Sequence, residues 1–67
     1  MLMVGRIILD RGTFVDCAIR NFSSAGAALW LKHSANLPVK FDLHFDNAIW
    51  HCIVVWRRPY WIGVKFR

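Results

Sequence analysis

The sequence predicts an all-β fold, a small antiparallel barrel or sandwich of six strands, on three observations. Apolar and polar residues alternate with a period of two in several segments, as half-buried strands require. Turn-forming residues interrupt the chain about every 8–12 positions, and no stretch keeps a helical period. Closing the sheet into a barrel then removes the exposed edges that a small open sheet would leave.

The first strand is predicted from Val4 to Leu9, with Ile7 and Leu9 inward and Arg6 outward beside Ala18. Asp10-Arg11-Gly12 joins it to the second strand, because Gly12 can take the positive φ of a tight connection. Thr13 to Asn21 places Val15, Cys17 and Ile19 on one face, and Ala27, Leu29 and Leu31 repeat the pattern after Gly26.

The alternation is clearest in Val39-Lys40-Phe41-Asp42-Leu43-His44-Phe45-Asp46, the fourth strand. A turn at Asp46-Asn47-Ala48 leads into Ile49–Arg57, rich in β-branched and aromatic residues. With Asn47 and Ala48 as the loop, Leu43 faces Cys52, Phe45 faces Trp50 and Phe41 faces Val54, which puts both apolar sets on one side. That register also sets His44 opposite His51, and Trp50 and Trp56 in the core. Arg57-Arg58-Pro59-Tyr60 breaks the run, since proline donates no ladder hydrogen bond, and Trp61–Phe66 forms the last strand with Ile62, Val64 and Phe66 inward.

Size and composition bound the rest. With 67 residues the chain makes one domain, 1–67, and at 57% hydrophobic and 19% charged it is too apolar to stay disordered. Charged residues or histidines interrupt every apolar run before it could span a membrane as a helix. The start, Met1-Leu2-Met3-Val4-Gly5-Arg6, does not read as a secretion signal, so the expected location is the cytoplasm. Cys17 and Cys52 fall on the apolar side of their strands and read as core thiols. The net charge of +5 points to anionic partners without choosing among them.

No catalytic constellation surrounds the three histidines, His33, His44 and His51, and the protein is read as a non-enzyme. Opposed His44 and His51, with Asp42 and Asp46 nearby, suggest a metal pair, but a solvated polar strand face explains them better, and no metal or cofactor is expected.

The segment that carries chemistry is Asn21-Phe22-Ser23-Ser24-Ala25-Gly26, an N-x-S-x-x-G turn. Asn and Ser can hold nearby backbone and still offer polar groups to a ligand, and Gly permits a sharp turn or a close approach. This turn resembles the [D/N]-x-S-x-x-G signature of the PilZ family, and the likeness spans nearly the whole chain. Cys17–Ser23 resembles the strand entering that motif, Leu37-Pro38-Val39-Lys40-Phe41-Asp42-Leu43 the next hairpin, and Cys52–Arg57 with Ile62-Gly63-Val64-Lys65-Phe66 the closing pair.

The resemblance implies a six-stranded antiparallel, split-barrel-like β-barrel and a bacterial signalling module that binds cyclic di-GMP, with Asn21, Ser23 and Gly26 as the matching half of the site. Arg20, beside the turn, is a further candidate. In the family an R-x-x-x-R segment before the first strand grips the ligand from the other side, and these 67 residues contain none. The nearest pair, Arg6 and Arg11, is one residue too widely spaced, and only Arg6 is kept as a candidate ligand-binding residue. Nucleotide binding is therefore expected to be weak or lost.

Two other functions compete. Trp30 and Trp61 fall on the outward side of their strands, which suits a protein partner or a homo-oligomer. Basic charge with Trp30, Trp50, Tyr60 and Trp61 would also suit single-stranded nucleic acid, but no RNA-binding motif is present and this partner is disfavoured.

Overall fold

The computed structural model describes residues 3–32 and 37–67, apart from the side chain of Arg11; His33 lies outside the described residues. The fold is all-β. Six antiparallel strands, β1 (Met3–Ile8), β2 (Phe14–Arg20), β3 (Gly26–Trp30), β4 (Lys40–Phe45), β5 (Ala48–Arg57) and β6 (Trp61–Phe66), close into a barrel in the order β1-β2-β3-β6-β5-β4. Closure comes from β4 returning to β1 through Arg6–His44, Ile7–Leu43 and Ile8–Asp42.

Each strand supplies one side chain that is almost wholly removed from water: Ile7, Ile19, Leu29, Leu43, Cys52 and Ile62. A barrel this narrow is filled by its own inward residues and encloses no lumen. Cys17 and Cys52 lie in that core as free thiols. Burial pushes Cys17 up to about 11 and Cys52 to about 12, because the apolar surroundings disfavour a thiolate.

Between β1 and β2 the chain makes a 3-10 turn, Asp10–Gly12, in which Gly12 has φ 80°. Arg6 stands opposite Asp16, and Val4 opposite Ala18, so Arg6 is placed two positions from the neighbour expected for it. Its guanidinium meets the Asp16 carboxylate at 3.3 Å.

The β4–β5 hairpin differs from expectation by one loop position. Asp46 and Asn47 both have positive φ, 57° and 58°, and form the two-residue loop, so Phe45 faces Ala48, Leu43 faces Trp50 and Phe41 faces Cys52. The twist of this left-handed pair of residues matches the twist of the flanking strands. Every cross-strand pair thus shifts by two, an even number, and the apolar faces stay as expected. His44 faces Ile49, not His51, whereas His51 faces Asp42, with Nδ1 2.7 Å from Oδ1. Val39 precedes β4 and is exposed, although its backbone carbonyl accepts a hydrogen bond from Val54 N–H.

The second difference is a β-bulge. The β5–β6 register shifts between Val54 and Trp56, so that Val54 pairs with Val64 but Trp56 with Gly63. One extra residue, Val55, reverses the alternation from there on. Trp56 consequently leaves the core face and is 43% exposed. Arg57 takes the inward parity and donates from Nη2 to the Leu37 carbonyl at 2.6 Å, tying the end of β5 to the segment that leads into β4.

Candidate functional site

Asn21 to Gly26 connects β2 to β3 at one end of the barrel. Asn21 takes φ 54°, the left-handed region that Asn tolerates better than most residues, and this reverses the chain directly after β2. Phe22 then drops inward against Phe45, Trp50 and Phe66, with ring centroids 5.1, 5.0 and 5.4 Å away. The aromatic cluster anchors the turn from below, which leaves Asn21, Ser23, Ser24 and Ala25 exposed above it.

Ser23 holds the turn together. Its hydroxyl accepts hydrogen bonds from the backbone N–H of Ala25 at 3.1 Å and of Gly26 at 3.4 Å. Its own N–H donates to the Gly26 carbonyl at 2.9 Å. This local bonding is what makes Ser a turn residue rather than a strand residue. Gly26 is required by space: a β-carbon there would overlap the carbonyl oxygen of Val64 in the neighbouring strand β6, where Gly26 stands opposite Lys65.

The turn borders a shallow depression of about 370 Å³, whose lining includes Asn21, Ser23, Gly26, Ala28 and Trp56. The depression owes its floor to small residues. Arg20 faces Ala28 and Ala28 faces Gly63 across the outer surface, and the indole of Trp56 lies against Gly63 where a side chain would otherwise stand. Trp56 is the site residue that sequence reasoning missed, since it was expected in the core. The uninterrupted apolar run Ile53-Val54-Val55-Trp56 gives no alternation from which the bulge could be read.

The structure thus gathers Asn21, Ser23 and Gly26 around one depression. Arg20 lies beside them on the outer face, with its guanidinium carbon 5.6 Å from the centre of the Trp61 ring. Arg6 is not brought there. It pairs with Asp16, lies 4.3 Å over Phe14, and lines a separate depression between β1 and the β4–β5 hairpin. Among the described residues no three His, Cys, Asp or Glu side chains gather as a metal site would need, and no helix is long and apolar enough to cross a membrane.

Chemically, the depression offers an exposed amide side chain and an indole wall on a floor without bulk. Those features suit a planar ligand that carries hydrogen-bonding edges, such as a nucleobase. No protein-family model matches this chain, and no curated protein matches it.

Proposed function

We propose that this chain is a PilZ-type signalling module that binds rather than transforms its ligand, cyclic di-GMP, through half of the usual clamp. The observation that carries this reading is the N-x-S-x-x-G turn standing open to solvent beside the Trp56 wall, on a closed six-stranded barrel. Asn21 supplies hydrogen bonds to the ligand, Ser23 and Gly26 keep the turn in shape, and the Trp56 indole, which itself lies under Arg58, gives the ligand an apolar wall. Arg20, next to Asn21 in the chain, is the side chain proposed to meet a phosphate.

The half clamp sets the affinity. Charge-assisted hydrogen bonds contribute about 1.5–3 kcal/mol each. The 67 residues contain no R-x-x-x-R pair of arginines, so binding by these residues alone is weaker by roughly 10²- to 10⁴-fold, at about 1.4 kcal/mol per decade. A ligand that a complete clamp holds at micromolar concentration is held here only at the order of 100 μM or above. Calorimetric titration of the 67-residue chain with cyclic di-GMP tests this. Weak binding that disappears in Trp56→Ala is the expected result, and a low-micromolar or tighter dissociation constant would refute the reading.

A further inference from the structure

The outer surface of β1, β2, β3 and β6 carries a second feature that the nucleotide reading does not use. Val4 faces Ala18, Ala18 faces Trp30 and Trp30 faces Trp61, so one apolar row crosses four strands on the side away from the core. Val4 is 58% exposed and Trp30 39%. Tyr60 extends the row by stacking on Trp30, with centroids 6.4 Å apart and rings inclined by 22°. At its middle lies an apolar dimple of about 180 Å³, walled by Val4, Ala18 and Trp30. A contiguous apolar patch on a small domain marks a contact surface, and a pocket within it marks where a partner's anchor residue seats.

Charge selects the occupant. Arg20 stands beside the row over Trp61, and Lys32 is exposed just past the end of β3. The one acid at the dimple, Asp16, is met by Arg6 at 3.3 Å, which leaves the margin positive on a chain of net charge +5. A second copy fits poorly, because pairing this face with itself brings one positive margin to another and supplies no added acid. Single-stranded nucleic acid needs open ring faces, whereas Trp30 is stacked on Tyr60 and Trp61 lies under Arg20. A bilayer takes up protruding rings, but the centre of this row is a concavity.

We propose that this row is the docking face for an acidic protein segment, which inserts one large apolar side chain into the dimple between Val4, Ala18 and Trp30 and sets a carboxylate against Arg20. The face shares Arg20 with the reading of the turn, but Val4, Ala18 and Trp30, which form the dimple, take no part in the depression there. Docking here holds whether or not the chain binds a nucleotide.

A library of random dodecapeptides selected against the folded chain tests the proposal, with the winning peptides synthesised and titrated by NMR. The expected winners are acidic with a single large apolar residue, shift the Ala18 amide and the Trp30 indole, and bind at least about tenfold more weakly to both Val4→Lys and Arg20→Glu. Both positions are exposed, so these variants keep the fold; circular dichroism verifies it. Basic or neutral winners, no enrichment, or binding that ignores both substitutions overturns the proposal. So does a dimer that Val4→Lys dissociates, or an oligonucleotide or anionic vesicle that shifts the same resonances more tightly than any peptide.

Discussion

A β-carbon at Gly26 would collide with the backbone carbonyl of Val64, and backbone at the start of a strand pair cannot swing aside as a side chain can. Gly26→Ala is therefore expected to destabilise the protein by about 1–3 kcal/mol, as overpacking does, measured as a lower urea midpoint at unchanged slope. The need for glycine here was legible in the motif, but its reason was not. Sequence reasoning assigned the residue to turn chemistry or ligand approach, whereas the demand comes from β6, almost forty positions away. Phe22 was hidden for the same reason: only the assembled barrel shows that this middle residue of a polar turn meets Phe45, Trp50 and Phe66.

The two buried thiols give the protein an alkaline limit. Cys17 and Cys52 are raised from 9.0 to about 11 and about 12, chiefly by burial. In the unfolded chain both lose their protons near the ordinary thiol value, while the native state keeps them, so the unfolded state binds fewer protons and stability falls as pH rises. The loss begins near pH 9 and continues until the native thiols ionise, near 11 and 12. Urea unfolding at a series of alkaline pH values is expected to show a steeper decline for the natural chain than for Cys17→Ala/Cys52→Ala. Parallel declines would mean that the thiols are not what sets the limit.

At the level of strands, alternation made the fold readable, because a period of two assigns faces without reference to tertiary structure. Register was less accessible. A loop at Asp46-Asn47 and a loop at Asn47-Ala48 give pairings that differ by two positions, and both leave Phe41, Leu43 and Phe45 inward, so the apolar pattern cannot distinguish them. Backbone conformation distinguishes them: Asp46 and Asn47 take the left-handed region, which Ala48 would adopt only at a cost. Replacing Asn47 by Gly, the residue best suited to its φ of 58°, is expected to raise stability by a few tenths to about 1 kcal/mol. A higher thermal midpoint checks it, and a fall would speak against this turn. The bulge at Val54/Trp56 left no mark in an unbroken apolar run, and with it went the position of Trp56.

The whole molecule is a barrel about 25 Å across whose inside is packed solid, so every chemical function must be carried on the outside or at the ends. The β2–β3 turn and the indole released by the bulge meet at one such place, while the row from Val4 to Trp61 occupies another. Asn21, Ser23 and Gly26 were legible as a unit because they are contiguous. Trp56 joins them only through the β3-β6-β5 neighbourhood, which no local pattern encodes. That same separation explains why Arg6, predicted as a candidate from its charge and position, ends on a different surface with Asp16.

An NMR titration of the labelled chain with cyclic di-GMP, following the amides of Asn21 to Gly26 together with the Trp56 indole, tests the proposed half clamp most directly. The expected result is fast-exchange shifts concentrated on these resonances, unsaturated at ligand concentrations where a complete clamp would be full. Spectra that stay unchanged up to millimolar ligand, or shifts centred on Arg6 and the β4–β5 hairpin, would contradict it.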